Sequence, residues 1–327
     1  MSALDEVRSQ DRAVQTLRRA REQDRVASAY LFEGPSGVGK ELTAVAFATD
    51  VVADGDRRLM ARIEAQAHPD VRVFHPRDDG KRNIQVDVLR SEILPLAQFA
   101  PFEAHSTFFI FPEADVSFPG FQPEAANALL KTLEEPRPNV HFILTSERAD
   151  SLLPTIRSRC QRVRFGRLPD AVLSDILSSD GVPADAIEPA IALSAGRADV
   201  ALALGREGAV EELTSLIASI DDAVRGAGPG TLVDVAEQLA RRDDLEIALL
   251  TLQTFYRDMS VSGLEVGDDR LGFAARAEDL AERAASVSSS AAAARVSLIH
   301  ECMASIRMNA NRQVALDSLL FGLRRLR

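Results

Sequence analysis

The residues best suited to chemistry stand in one short stretch, residues 34–41 (GPSGVGKE), which follows an apolar run at residues 29–32. This spacing of glycines and lysine is typical of a phosphate-binding loop. In such a loop, backbone N–H groups and the start of the next helix point at a phosphate chain, and the lysine adds a positive charge. An ordinary glycine-rich turn between a strand and a helix is the alternative. The candidate nucleotide contacts are Gly34, Gly37, Gly39 and Lys40.

Two positions argue against a magnesium site beside this loop. Phosphate-loop ATPases place a Ser or Thr hydroxyl directly after the lysine, where this chain has Glu41. They also place an Asp at the end of a buried strand, where the apolar run 108–111 is followed by Pro112 and Glu113. Proline offers neither a charge nor an N–H group, so we predict that the chain hydrolyses ATP poorly. Glu113 and Asp115 alternatively serve only to charge and cap a helix start.

A second candidate for chemistry is the arginine pair in residues 154–160 (PTIRSRC). An arginine on a surface that meets a neighbouring subunit can reach a γ-phosphate bound there and stabilise charge in the transition state. This interpretation of Arg159 requires an oligomer. The alternative is that Arg157 and Arg159 are solvated or form ion pairs within the chain.

Alternating strand and helix patterns surround these residues. Strand-like runs are followed by helical segments through residue 166, which predicts a parallel α/β domain of three layers. Only helical patterns follow, so we predict a phosphate-loop domain at 1–166, a small helical lid at 167–207 and an all-helical collar at 208–327. The predicted strands lie at residues 29–32, 71–74, 108–111, 140–144 and 161–165, and the predicted helices of this domain at 10–24, 42–52, 88–96 and 124–135.

Composition limits the choice of partners and compartment. The 327 residues carry 38 basic and 49 acidic side chains, a net charge of −11, so any DNA contact should be local and made to the phosphate backbone. Residues 1–6 lack the basic and apolar blocks of a signal peptide, and no run reaches transmembrane length, so we expect a cytoplasmic protein. Two cysteines and five histidines show no metal-ligand spacing, so no metal site is predicted.

Four motifs together carry a family resemblance. Residues 34–40, 112–115, 127–136 (NALLKTLEEP) and 158–160 (SRC) resemble bacterial clamp-loader subunits of the AAA+ superfamily, and residues 255–258 and 310–316 are similar to that family's C-terminal domain. The resemblance implies an AAA+ domain, a helical lid and a helical collar that assembles a pentameric loader.

The resemblance also implies roles for single residues. Arg159 would be an arginine finger inserted into the ATP site of an adjacent gamma/tau subunit, with Ser158 and Cys160 fixing its segment, while Thr145 would occupy a polar sensor position. The implied partners are the gamma/tau and delta subunits of a hetero-pentameric clamp loader of DNA polymerase III. A sliding clamp and primed DNA would be met through that complex, and no membrane is involved.

Two departures from the family matter. Residues 50–70 contain no cysteine, so the four-cysteine zinc insert of most relatives is not expected, and Asp199 stands near the place of an arginine after the lid glycine, with Arg197 close by. We therefore predict a stator that lends an arginine to a partner's Mg-ATP site and binds ATP or ADP weakly at most. The competing hypotheses are a gamma/tau-like ATPase with Lys40, Glu113 and Thr145 as catalytic residues, and a protein whose loop is only an architectural turn.

Overall fold

A computed structural model describes residues 2–76, 84–120, 123–226, 228–261, 271–273, 277–285, 287–308 and 310–326. The chain divides after Val172 into two compact units. The first unit is built on a sheet of five parallel strands in the order β2-β3-β4-β1-β5. The strands are β1 (Ala29–Glu33), β2 (Val71–Val73), β3 (Thr107–Phe111), β4 (Val140–Ser146) and β5 (Gln161–Arg164).

The strands explain the architecture of this unit. Every residue of β3 and β4 is buried, which requires helices on both faces of the sheet, because a parallel strand of this kind leaves no face to water. Phenylalanine rings stack across neighbouring strands, as Phe109 does on Phe142 with 5.4 Å between ring centroids. The predicted parallel α/β domain is therefore confirmed, and each predicted strand is observed within two residues of its expected bounds.

Helices of the first unit cover the sheet and connect its strands. They are α1 (Asp11–Glu22), α2 (Lys40–Ala53), α3 (Arg57–Glu64), α4 (Val86–Val88), α5 (Leu94–Leu96), α6 (Ala114–Ser117), α7 (Pro123–Glu134) and α8 (Pro154–Arg157), with short 3₁₀ turns at Ala3–Glu6 and Ala149–Ser151.

Two departures from the predicted helices have a clear local cause. Helix α3 was not predicted, because half of its residues are charged. It forms because Asp56 caps its first turn, accepting an N–H from Arg58 at 2.8 Å. The predicted helix at 88–96 is instead a π-helical turn, Leu89–Ile93, between α4 and α5. Pro95 has no N–H to donate to the preceding turn, which favours such a break.

In the residues that the structure describes, the second unit is all-helical, as predicted. Its apolar core contains Leu213, Ile217, Leu252, Ile299 and Leu320, each no more than 3% exposed. The split into lid and collar at residue 208 stays a prediction. Within the part of the chain that the structure describes, no helix has the length and apolar character needed to span a membrane. The helices are α9 (Asp170–Ser179), which begins just before Val172, α10 (Ala184–Ser194), α11 (Ala198–Leu204), α12 (Ala209–Gly226), α13 (Pro229–Ala240), α14 (Leu245–Val261), α15 (Ala277–Ala284), α16 (Ser289–Arg307) and α17 (Arg312–Arg325).

Candidate functional site

The glycine-rich loop joins β1 to α2 at the carboxyl edge of the sheet. Gly34 must be glycine because a Cβ there would lie 2.3 Å from the carbonyl oxygen of Phe165. Gly39 is the N-cap residue of α2 with a φ of +89°, a conformation that L side chains rarely adopt. Backbone geometry of this kind is what a phosphate-binding loop requires. It equally suits an architectural turn.

Lys40 is buried, with 8% of the residue exposed, and its ammonium group lies on the loop itself. Its Nζ donates hydrogen bonds to the carbonyl oxygens of Gly34, at 2.9 Å, and Pro35. A phosphate chain entering the loop would have to replace these bonds. The lysine therefore stabilises the loop from inside, whatever else it binds.

Glu41, the residue after Lys40, places a carboxylate beside the loop and near the negative charge of Glu113. Its carboxylate lies 3.4 Å from Nε2 of His75. Burial raises the pKa of Glu41; His75 opposes the shift, and the negative charge of Glu113 adds to it. Two carboxylates close enough to repel each other would also repel a nucleotide's phosphates.

Pro112 and Glu113 form the turn at the end of β3, next to the end of β4. The backbone N–H of Glu113 donates a hydrogen bond to Oγ1 of Thr145 at 3.3 Å, so the structure brings these two candidate residues together beside the loop. Glu113 is the N-cap residue of α6, but its side chain makes no capping hydrogen bond. Asp115 accepts an N–H from Glu147 at 3.3 Å and thereby joins α6 to the chain after β4.

These residues do not fit a magnesium-nucleotide. The hydroxyl expected after Lys40 is replaced by a carboxylate that already contacts His75, and the strand-end carboxylate is replaced by Pro112. The hydroxyl of Thr43 bonds to the carbonyl oxygen of Gly39 at 2.8 Å and is fully buried. Among the described residues, no group of three or more His, Cys, Asp or Glu side chains could hold a metal ion.

Arg159 lies at the other edge of the sheet. It precedes β5, and Gln161, the first residue of β5, pairs with Tyr30 early in β1. Since all five strands are parallel, the amino end of β5 faces away from the loop that follows β1. The structure therefore separates Arg159 from the chain's own loop.

Both arginines of residues 154–160 form ion pairs within the chain. The NH2 group of Arg159 donates to Oε1 of Glu134 at 2.5 Å, and its NH1 group donates to the carbonyl oxygen of Thr155 at 2.8 Å. Arg157 pairs with Asp150. The side chain of Arg159 is still 33% exposed.

Ser158 and Cys160 hold this segment in place. Oγ of Ser158 donates to the carbonyl oxygen of Thr155 at 3.1 Å, and Cys160 is 8% exposed within the apolar cluster under α7 and α8. Burial raises the pKa of the Cys160 thiol to about 12, which disfavours the nucleophilic thiolate at neutral pH.

Glu33 at the end of β1 fixes β5 against its neighbour. Its carboxylate accepts hydrogen bonds from Nε of Arg162 at 3.0 Å and from Nε of Arg164 at 2.9 Å. Burial raises the pKa of Glu33, but the hydrogen bonds and positive charges of these two arginines outweigh that effect and hold it below its usual value. This bridge holds the register of the strand that follows Arg159.

Arg197, the residue that could replace the missing arginine after the lid glycine, is committed elsewhere. Its guanidinium, 9% exposed, contacts both oxygens of Asp199, at 3.1 and 2.6 Å, and Oε1 of Glu246 at 3.0 Å. The carboxylate of Glu246 also accepts from Arg307 at 2.8 Å. These contacts tie α11, α14 and α16 together within the second unit.

Sequence reasoning missed three residues that organise the site. Gln10 bonds to both backbone groups of Gly166, at 2.8 and 3.0 Å, and to the carbonyl oxygen of Val38 in the loop. Asp70 caps the turn before β3, and Glu134 holds Arg159. Glu134 belongs to the motif NALLKTLEEP, which was singled out without a role, whereas Gln10 and Asp70 gave no signal of their own.

Comparisons with known proteins agree with the motifs. A sequence model of the family described as DNA polymerase III, delta subunit, matches residues 9–169. The delta′ subunit of DNA polymerase III from Bacillus subtilis (strain 168) is 33% identical over 182 residues, covering 53% of this chain and 53% of that protein. The delta′ subunit from Pseudomonas aeruginosa is 31% identical over 205 residues, covering 59% and 60%. The chain thus spans between half and about three fifths of these relatives.

A structural comparison adds less. A DNA polymerase III gamma subunit-related protein from Thermotoga maritima superposes with a TM-score of 0.44 at 19% identity, covering 95% of this chain and 98% of that one. A score this low supports no argument about function. The sequence matches, in contrast, confirm the predicted resemblance to clamp-loader subunits.

Proposed function

We propose that this chain is a delta′-type subunit of a bacterial clamp loader, because residues 9–169 match the sequence model of the family described as DNA polymerase III, delta subunit. In this proposal it hydrolyses little or no ATP itself and supplies Arg159 to the ATP site of a neighbouring gamma/tau subunit. It would assemble with gamma/tau and delta subunits in a hetero-pentamer, meet the sliding clamp and primed DNA through that complex, and work in the cytoplasm.

The position of Arg159 carries this proposal. The guanidinium lies at the edge of the sheet opposite the chain's own loop, partly exposed and held by two elements, α7 and α8. An arginine in this place is poorly placed to serve its own loop and well placed to meet another chain. The loop in turn lacks both expected magnesium contacts, at Glu41 and Pro112.

The chemistry follows from the shape of the side chain. In phosphoryl transfer, negative charge spreads over the oxygens of the transferred group, and a planar guanidinium can donate two N–H groups to them at once. Bound from a neighbouring chain, such a group stabilises the transition state only when the two subunits are correctly assembled. Hydrolysis would thereby depend on assembly. Ser158 and Cys160 contribute by fixing the backbone from which Arg159 projects.

Arg159→Ala in the reconstituted loader tests the proposal. We expect DNA- and clamp-stimulated ATP hydrolysis to fall by at least about tenfold, because a trans arginine usually supplies more than that at its site. Arg157→Ala is the matched control: it removes the same charge two residues away, where the partner is Asp150, and should change the rate little. Unchanged turnover with Arg159→Ala would exclude the proposal.

A gamma/tau-like ATPase is the second candidate, favoured by the retained backbone geometry of Gly34 and Gly39 and by the contact between Glu113 and Thr145. Brisk ATP hydrolysis by the isolated chain, abolished by Lys40→Ala, would support it over the first. Failure to bind ATP or ADP at millimolar concentration would instead favour a loop that is only an architectural turn.

A further inference from the structure

The contact between Arg159 and Glu134 is the starting point. Glu134 is the last residue of α7, and its carboxylate receives NH2 of Arg159 at 2.5 Å. The carbonyl oxygen of Thr155 in α8 receives NH1 of the same guanidinium at 2.8 Å. The Arg159 side chain is thus hydrogen-bonded to two helices, through one charged and one neutral acceptor.

The two helices form a rigid frame for this grip. Leu129 and Leu133 of α7 lie in the same buried apolar cluster as Ile156 of α8 and Cys160, each no more than 8% exposed. Neither helix can shift without disturbing this cluster, because protein interiors are close-packed. The separation between the carboxylate of Glu134 and the backbone of Arg159 is therefore set by core packing.

An arginine side chain has four rotatable bonds and would otherwise sample many positions at a surface. The two hydrogen bonds to Glu134 and Thr155 select one of them. They engage two N–H groups of a guanidinium that has five. A third of the side chain is exposed, so donors remain for a ligand that approaches from solvent.

We infer that Glu134 is a positioning residue for Arg159, holding the guanidinium in one orientation for a neighbouring chain's phosphate before the subunits meet. The inference rests on the proposed function. Preorganisation of this kind raises the rate of the chemical step, because the ordering of the arginine occurs when the chain folds and not during each turnover. Since Glu134 itself does not reach the phosphate, its effect should pass entirely through Arg159.

The opposite role is physically possible and has a different outcome. A carboxylate that competed with phosphate for Arg159 would restrain the finger, and its removal would speed hydrolysis. The two roles differ in the sign of the effect: loss of Glu134 slows hydrolysis if this residue positions Arg159 and speeds hydrolysis if it restrains Arg159.

Steady-state ATP hydrolysis by the reconstituted loader, with clamp and primed DNA, tests the inference. We expect Glu134→Ala to lower kcat by roughly three- to tenfold, less than Arg159→Ala does, with KM for ATP unchanged. Glu134→Gln keeps an oxygen acceptor and should stay within about twofold of wild type. Glu135→Ala removes the same charge from the adjacent exposed residue and is the matched control.

The double variant separates positioning from other effects. Glu134→Ala combined with Arg159→Ala should be no slower than Arg159→Ala alone, since a residue that acts through Arg159 has nothing left to position. Thermal unfolding of the isolated chain and co-elution with the loader check that each variant folds and assembles. If Glu134→Ala does not assemble, Glu134→Asp, which shortens the reach by one methylene, takes its place in the same comparison.

The possible results distinguish a failure of the positioning role from a failure of the proposed function. Wild-type or faster turnover by Glu134→Ala, while Arg159→Ala is slow, would overturn the positioning role and leave the proposed function standing. A double variant clearly slower than Arg159→Ala would show that Glu134 acts through something else. Wild-type turnover by Arg159→Ala would remove the proposed function, and the role of Glu134 with it.

Discussion

The hydroxyl oxygen of Thr145, at the end of β4, accepts a hydrogen bond from the backbone N–H of Glu113, in the turn after β3, at 3.3 Å. This bond lies where phosphate-loop ATPases gather their metal and water-positioning groups. Here the hydroxyl supports a turn that begins with Pro112. A structural contact thus joins the ends of β3 and β4. Beside it lies the glycine-rich loop, in which the ammonium group of Lys40 donates hydrogen bonds to the loop's carbonyl oxygens.

Restoring the two missing magnesium ligands should restore nucleotide binding. We expect Glu41→Ser combined with Pro112→Asp to raise the affinity for ATP by about tenfold or more in Mg²⁺, because the pair adds a hydroxyl and a carboxylate and removes a repelling charge. Titration of a fluorescent nucleotide with the isolated chain, in Mg²⁺ and in EDTA, measures this. Glu22→Ser, on the exposed face of α1, is the control. Equal affinity in Mg²⁺ and EDTA would contradict the prediction.

Asp70 should stabilise the first unit in a pH-dependent way. Its carboxylate accepts the N–H groups of Phe102, Glu103 and Ala104, at 2.7, 2.8 and 3.0 Å, and the hydroxyl of Thr107 at 2.9 Å. Burial alone would raise the pKa of Asp70, but these hydrogen bonds hold it below its ordinary value of 3.8. A lowered folded-state pKa means that the stabilisation is complete above that ordinary value and is lost as pH falls toward the folded pKa.

Asp70→Asn tests this bond set. The amide presents N–H donors to backbone donors, so we expect a loss of about 2–4 kcal/mol in the free energy of unfolding at pH 7. The difference from wild type should shrink as the pH falls below 3.8. Urea unfolding, followed by circular dichroism at pH 7 and at a pH below 3.8, measures this difference in unfolding free energy. Asp175→Asn, at an exposed position, is the control. A pH-independent difference would show that the charge of Asp70 is not responsible.

Glu246 should stabilise the second unit. Its carboxylate accepts hydrogen bonds from the buried guanidinium of Arg197 and from Arg307. Asp199 accepts further hydrogen bonds from Arg197. Glu246→Gln should cost about 1–2 kcal/mol, less than for a fully buried pair, since the carboxylate is 47% exposed. Thermal unfolding monitors the change, and Glu301→Gln on the exposed face of α16 is the control. Equal losses of stability in Glu246→Gln and Glu301→Gln would show that the effect comes from the change in surface charge and not from the bridge.

Both cysteines should resist modification in the native chain. Burial raises the pKa of Cys160 to about 12 and that of Cys302 to about 11, and both side chains are buried. With a pKa of about 12, roughly one Cys160 in ten thousand is thiolate at pH 8 while the side chain stays buried. Reaction with a disulfide reagent at pH 8 should therefore be far slower than with free glutathione. Two thiols per chain should react once guanidinium unfolds it, and a rapid native phase would contradict the burial.

Local patterns in the chain were enough to predict the strands and the fold class. Apolar runs such as residues 108–111 can be satisfied only inside a parallel sheet, and a glycine-rich turn after the first run places a loop at its carboxyl edge. The absence of magnesium ligands at Glu41 and Pro112 could also be recognised from the sequence, because a missing hydroxyl or carboxylate is a property of one position. The SRC motif pointed to Arg159 without saying what surrounds it.

Contacts between distant positions could only come from the folded chain. Glu134 and Arg159 meet because α7 and α8 pack on one apolar cluster, and Asp70 reaches residues 102–104 because β2 lies beside β3. Parallel order likewise puts Arg159 and the loop at opposite edges of the sheet, although their spacing in the sequence carries no such information. A pattern of residue types sets which elements form, whereas the distance between two side chains depends on how those elements pack.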